Sequence, residues 1–340
     1  MLGHVNVAVI GLGRIGRLHA ENLAHRIPQA KLTAISDINP ETLNRCAAEL
    51  GVSVAVQDRR AILDRPDVDA VAICSSTDTH AQMIEEAAAA GKHIFCEKPI
   101  DLDLARIDRA LAAADKAGVK LQIGFNRRFD PSFRRARELV AAGKIGRPHL
   151  LRITSRDPQP PPLEYIRISG GIFLDMTIHD FDMARYLIGR EVTEVQAAGA
   201  VLVDPKIGEA GDIDTAVVTL RFENGAIGVI DNSRKSVYGY DQRAEVFGSE
   251  GMVAVSNRTP DSATVSDPAG LHSSLPLFFF LERYAESYLA EMQEFVTCVL
   301  DNKSPSVTGA DGRFAAVMAY AARKSCQENR PVRLAEIEEV

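Results

Sequence analysis

The stretch VNVAVIGLGRIGRLHAENL, starting at Val5, constrains the fold more than any other part of the chain. A continuous apolar run ends in Gly11, Gly13 and Gly16 and passes directly into a helical pattern. In this GxGxxG spacing the first glycine makes a tight turn, the second lets a pyrophosphate approach the backbone, and the third lets helix and strand pack closely. The helix N-terminus adds N–H donors and a positive dipole end. Asp37 answers the motif from the end of the second apolar run, KLTAISD. A carboxylate there accepts hydrogen bonds from a ribose 2′-hydroxyl and repels a 2′-phosphate, and Ile38, Asn39 and Pro40 offer no arginine to receive one. The expected cofactor is therefore NAD rather than NADP.

The same alternation continues to Gly124. Apolar runs VNVAVI, KLTAISD, DAVAIC, KHIFCE and VKLQIG are separated by segments that read as helices from about Arg14, Pro40, Thr79 and Leu102. Regular β-α alternation predicts a doubly wound parallel sheet covered on both faces. Beyond Gly124 a helix at Ser132 to Ala142 and the strand HLLRITSR lead to a run of long strand candidates without intervening helices: VTEVQAAGAVLV, DTAVVTLRFE, GAIGVIDNSR, QRAEVFGS and GMVAVSN. That pattern predicts a C-terminal α+β domain with an open, mostly antiparallel sheet, so the α/β chain divides into residues 1–124 and 125–340. In the tail, Leu281, Tyr284, Tyr288, Met292, Phe295 and Val299 fall on one helical stripe, read as core, and GADGRFAAVMAYAARKS gives a further helix.

Composition narrows the function. With 340 residues, 46% hydrophobic and 25% charged, the chain can bury two ordinary cores. A formal charge of −7 without any Lys/Arg block argues against nucleic acid as a partner, and the longest apolar cluster, LPLFFFL, is far too short to span a bilayer. The N-terminus MLGHVNV carries no export signal pattern, so the cytoplasm is the expected compartment. Cys46, Cys74, Cys96, Cys298 and Cys326 are odd in number and widely spaced, and read as buried thiols without a disulfide framework.

Three further segments carry candidate chemistry. In CSSTDTH, residues 74–80, Ser75, Ser76 and Thr77 follow a parallel strand where ligands gather, although Thr77 or Asp78 serves equally as a helix cap. CEKPI places Glu97, Lys98 and Pro99 at the end of the next strand. In SGGIFLDMTIHDFDM, residues 169–183, Gly170 and Gly171 break the chain, and a helix ending at Gly189 puts Asp175 and His179 at i and i+4 on one face. A metal would need at least one more donor, and neither HxxxH nor a cysteine pair is present. A carboxylate near a helix start satisfied by an imidazole, and a carboxylate fixing a general base, both fit the spacing, and spacing leaves these two open.

GLGRIG, the EKP at residues 97–99 and GGIFLDMTIHDFD together resemble the Gfo/Idh/MocA family of NAD(P)-dependent oxidoreductases, over essentially the whole chain. FNRRFDPSF, SRDPQPPPLEYIRISGG and KSVYGYDQRAEVFGS are similar to the inositol 2-dehydrogenases within it. The resemblance implies a Rossmann domain for NAD and a C-terminal domain that binds substrate and mediates oligomerisation into a homotetramer. It implies a catalytic set of Lys98, Asp175 and His179: His179 takes the hydroxyl proton, Asp175 orients it and binds a hydroxyl, and Lys98 polarises the reacting oxygen. The implied reaction oxidises myo-inositol to 2-keto-myo-inositol. Scyllo-inositol or an aldose is the near alternative, and an NAD-retaining glycosidase the distant one; a nucleotide sensor would need none of the three catalytic residues.

With the family in view, the cofactor is expected to meet Gly11, Gly13, Arg14, Ile15, Gly16, Asp37, Ser75, Ser76, Thr77, His80, Glu97, Lys98 and Arg127. A polyol needs a partner for each hydroxyl that loses water. The candidates are Lys98, Asn126, Arg127, Asp157, Tyr165, Asp175, His179 and Tyr238, of which Tyr165 and Tyr238 serve equally as packing. The proline-stiffened loop DPQPPPLEY, residues 157–165, suits a fixed rim, and no metal is expected. Of Asp180 and Asp182 at least one is expected to be solvated or salt-bridged, with Asp180 a candidate support for the site.

Overall fold

The computed structural model describes residues 3–338, and the chain separates into two units, each built on its own sheet. The first takes the chain up to Phe129 together with Glu286–Phe314; the second takes Asp130–Ala285 and the chain from Ala315 onward.

In the first unit, strands β1 (Val5–Ile10), β2 (Ala30–Ser36), β3 (Ala55–Val56), β4 (Ala70–Ile73), β5 (His93–Glu97) and β6 (Leu121–Gly124) form one sheet in the order β3-β2-β1-β4-β5-β6. Every pairing is parallel. The central strands are apolar and buried along their length because helices cover both faces. The order reverses between β1 and β4, and their carboxyl ends open the crevice in which such sheets bind ligands. Helix Pro40–Leu50 starts on Asn39, whose side chain accepts from the Glu41 and Thr42 N–H groups, and helix Leu104–Ala117 starts on Asp103 in the same way. Helix Arg14–His25 differs: it starts on Gly13 with no side-chain cap.

Helix Ala285–Leu300 belongs almost entirely to this unit. Met292, Phe295, Val296 and Val299 lie in one buried cluster with Val5, Val7, Val9 and Phe95. Each such side chain contributes about 1.5–3 kcal/mol on burial. Sequence order assigns the segment to the later domain; packing returns residues 286–314 to the first unit, because this apolar face is buried under β1 and β5. The predicted stripe is interrupted as well. Tyr284 leaves helical geometry with φ −115°, dividing Phe280–Arg283 from Ala285–Leu300 where the chain passes from one unit to the other.

The second unit holds β7 (Pro148–Arg156), β8 (Val192–Ala200), β9 (Thr215–Phe222), β10 (Ile227–Ser233), β11 (Asp241–Gly248), β12 (Met252–Val255) and, beyond the exposed hairpin of β13 (Thr264–Asp267) and β14 (Gly270–Ser273), β15 (Val332–Arg333). The sheet order is β12-β11-β7-β10-β9-β8-β15, and only the β7–β10 pair is parallel. Residues of β9 alternate buried and exposed, as expected for a sheet with one covered face. Helices Pro131–Ala141 and Ile178–Ile188 pack on it. The proline-rich loop is shorter than its sequence suggests, because helix Leu163–Ile168 starts directly after Pro162.

Candidate active site

The glycine turn is fixed by contacts that only glycine permits. Gly11 has φ +89°, and a Cβ on it would lie 2.6 Å from the Ser75 nitrogen and 2.7 Å from the Cys74 carbonyl carbon, so the turn sits against the end of β4. A Cβ on Gly16 would collide with the Gly11 carbonyl oxygen. Around Gly13 there is nothing within 4 Å of such a Cβ. This open space lies before an uncapped helix N-terminus, which fits a cofactor pyrophosphate. Asp37 Oδ2 accepts the Leu12 N–H at 2.7 Å and Oδ1 accepts the Asn39 N–H at 2.8 Å, tying this carboxylate to the same turn. Arg14 and Ile15 open the helix that follows.

The other residues expected at the cofactor divide. Ser75 Oγ and Thr79 Oγ1 share a 2.7 Å hydrogen bond, and neither Thr77–Thr79 nor helix His80–Ala89 has a side-chain cap, so the capping role open to Thr77 and Asp78 is not taken up. His80 is a correction. It is buried, with Nδ1 2.8 Å from the Pro99 carbonyl and Nε2 3.0 Å from that of Ser75, so both ring nitrogens face backbone carbonyls rather than a ligand. Burial lowers its pKa, so the neutral ring donates to one carbonyl at a time.

Glu97 also turns inward. Its Oε1 lies 2.9 Å from His19 Nε2, and a Cβ on Gly124 would come 3.0 Å from its carboxyl carbon. Glu291 Oε1 is 3.8 Å from the same His19 nitrogen; it is fully buried, and neither carboxyl oxygen has a hydrogen-bond partner. Burial above all, then the charges of Glu97 and Glu294, push the Glu291 pKa well up. Among the described residues His19, Glu97 and Glu291 form the one compact group of potential metal ligands, a constellation sequence spacing missed because its members come from three distant elements. Lys98, next to Glu97, is half-buried at the end of β5. Asn126 and Arg127 are buried in the turn after β6, and the Asn126 Nδ2 has no hydrogen-bond partner.

On the second unit, residues 173–177 form a π-helical turn leading into helix Ile178–Ile188, which ends on Gly189 in the left-handed conformation. Such widened turns recur at functional sites. From Ile172 to Ala184 every residue is buried except Asp175 and His179. A carboxylate and an imidazole are thus the side chains this helical stretch leaves partly exposed. Tyr165 donates its hydroxyl to Asp175 Oδ1 at 2.8 Å, and Arg234 Nη1 donates to Oδ2 at 3.1 Å. Arg234 Nη2 donates to Asp212 Oδ2 at 3.1 Å, and Asp212 Oδ1 accepts the Ile172 N–H at 3.0 Å. Neither Arg234 nor Asp212 stands out in the sequence.

Tyr238 is drawn elsewhere. Its hydroxyl donates to Asp241 at 2.6 Å and accepts from Arg156 at 3.0 Å, so it serves an ion cluster with Asp231 and Arg243. Asp157 is half-buried at the end of β7, its N–H donating to the Ser233 carbonyl. Asp180 and Asp182 are both buried, so of the two roles expected of them solvation is not the one taken up. Asp180 accepts from Asn232 Nδ2 at 2.8 Å, and Asn232 Oδ1 accepts the Thr177 hydroxyl at 2.7 Å, pinning the π turn to β10.

Comparison with known proteins fits both halves. Residues 5–125 match the oxidoreductase family with an NAD-binding Rossmann fold, and residues 133–254 match the GFO/IDH/MocA C-terminal domain. The chain is 55% identical to myo-inositol 2-dehydrogenase of Thermotoga maritima over 98% of its own length and 99% of the relative's. A crystal structure of a probable dehydrogenase from Thermotoga maritima superposes with a TM-score of 0.97 at 55% identity, covering 98% of this chain and all of that one (100%). The scyllo-inositol dehydrogenase of Lactobacillus casei, solved with NAD(H) and scyllo-inositol, superposes at 0.92 with 34% identity, covering 98% and 99%. An NAD-binding Rossmann unit, a second unit of mixed sheet and relatives of this likeness over the full length lead to one conclusion: the chain belongs to the GFO/IDH/MocA family of oxidoreductases.

Proposed function

We propose that the protein oxidises myo-inositol at one carbinol carbon, with NAD as cofactor, giving 2-keto-myo-inositol. The observation that carries this reading is the pair Asp175 and His179, alone accessible on an otherwise buried helical stretch. The likeness to myo-inositol 2-dehydrogenase supports the substrate. Residues 1–124 are assigned to NAD and residues 125–340 to substrate and oligomerisation, save 286–314, which complete the core of the first unit.

In this reading His179 accepts the proton of the reacting hydroxyl, as a base working near neutral pH does. Lys98 donates to the same oxygen and steadies the charge that develops there. Asp175, held by Tyr165 and Arg234, accepts a hydrogen bond from a substrate hydroxyl and orients the ring against His179. Asn126, Arg127 and Asp157 pair with other hydroxyls of the polyol. When bound, NAD supplies the acceptor for the carbinol hydride. Asp37 holds the ribose hydroxyls and selects against a 2′-phosphate.

Scyllo-inositol is the second reading, favoured by the likeness to the Lactobacillus casei enzyme. Initial rates of NADH formation with myo-inositol, scyllo-inositol and aldoses decide between them, with His179→Ala as control. Myo-inositol is expected to give the highest kcat/KM, and the variant to lose about 100-fold or more. If no polyol yields NADH, or the variant matches wild type, the reading fails.

We also place the protein in the cytoplasm as a homotetramer associating through the second sheet. Five free cysteines suit a reducing compartment. Val217, Ile227, Phe247 and Met252 leave apolar surface exposed on β9, β10, β11 and β12. Light scattering that returns a monomer mass contradicts the assembly.

A further inference from the structure

Arg234 is the largest fully buried side chain, and it lies in the second unit between two acids. Nη1 meets Asp175 Oδ2 and Nη2 meets Asp212 Oδ2, each at 3.1 Å, while its own N–H donates to the Asp214 carbonyl at 2.8 Å. Burial opposes its charge, but the carboxylates of Asp175, Asp212 and Asp157 hold its pKa above the ordinary value. Replacing a buried ion pair by apolar side chains of similar volume is often neutral or stabilising, so stability is a poor reason for such an arginine. What it supplies is geometry, because a guanidinium fork fixes the direction of each acid it meets.

Asp212 is the anchor of that fork. Its Oδ1 accepts the Ile172 N–H, and Gly171, with φ +83°, lies so close that a Cβ there would be 2.9 Å from this oxygen. The Gly170-Gly171 break is thus what lets Asp212 reach the start of the π turn. With Tyr165 on Oδ1 and Arg234 on Oδ2, the plane of the Asp175 carboxylate is fixed from both sides. As a carboxylate, Asp175 accepts hydrogen bonds and cannot donate them. A carboxylate held in this way takes a hydroxyl donor and rejects a carbonyl or ether oxygen in that place.

We propose that Arg234, anchored by Asp212, is the positioning residue of the active site, and that it fixes Asp175 as an acceptor for one substrate hydroxyl. The inference rests on the function proposed above for Asp175. Its test uses Arg234→Lys and the double variant Arg234→Gln with Asp212→Asn, which removes one charge of each sign. Crystal structures of wild type and variants give the Asp175 orientation without any substrate, and steady-state rates of NADH formation with the inositol that wild type oxidises give kcat and KM. In the double variant the Asp175 carboxylate is expected to turn away from its wild-type plane, with kcat down about 100-fold and NAD affinity unchanged. Lysine, which keeps the charge but loses the fork, is expected to leave kcat about 10-fold below wild type, with Asp175 turned from its wild-type plane.

An unmoved Asp175 in the double variant, or wild-type kcat, overturns the proposal. If the double variant does not fold, Arg234→Lys decides alone: wild-type kcat and orientation overturn the inference, and a kcat loss at unchanged NAD affinity supports it. If wild type oxidises no polyol, the functional reading fails, and the Asp175 orientation still decides whether Arg234 positions it.

Discussion

Asp37 is held by the Leu12 and Asn39 N–H groups, so the ribose contact proposed for its carboxylate would cost little further ordering. Asp37→Ala is expected to weaken NAD by about 10- to 100-fold, the worth of a hydrogen bond to a charged group. NADP binding should change far less, since the same mutation removes a repulsion. Dissociation constants for both cofactors measure this, and an unchanged ratio between them rules Asp37 out as the ribose reader. At this scale the sequence showed residues whose role is local: Gly11, Gly13 and Gly16 act within one turn, and Asp37 ends the adjacent strand. Arg234 and Asp212 escaped notice because an arginine at the end of a strand and an aspartate in a loop read as solvated until the fold places them around Asp175. The burial of Asp180 and Asp182 was illegible for the same reason.

Helix Ala285–Leu300 shows what an element hides. Its apolar stripe was legible from spacing, and Tyr288, Met292, Phe295 and Val299 are buried as that pattern requires. Glu291 shares the buried face, where a charge-bearing residue is not expected. It meets His19 from helix Arg14–His25 and lies near Glu97 from β5, with Glu294 on its own helix and Gln122 from β6 bound to its backbone carbonyl. Burial raises its folded pKa above the unfolded value, so its stabilising contribution is complete at acid pH and lost as pH rises through the folded pKa. Glu291→Gln, which cannot ionise, removes that loss. The melting temperature of wild type should therefore fall relative to the variant as pH is raised from the ordinary carboxylate range through neutrality and beyond. Parallel curves would mean that Glu291 titrates normally. The break at Tyr284 and the β13–β14 hairpin were illegible, since packing interrupts a stripe that spacing leaves continuous.

For the whole molecule, regular β-α alternation followed by a run of strands was enough to separate an NAD unit from a mixed-sheet unit. It could not show that residues 286–314 return to the first, because that depends on which core the helix completes. Lys98 and the glycine turn lie in the first unit, Asp175, His179, Tyr165 and Arg234 in the second. The central claim is a direct hydride transfer from a carbinol carbon of an inositol to NAD. The most direct measurement is to supply myo-inositol carrying deuterium on the carbon that becomes the ketone and to recover the reduced cofactor. The account predicts that the deuterium appears in the reduced nicotinamide in step with ketone formation. Deuterium released to water, or product formed without net reduction of NAD, would contradict it.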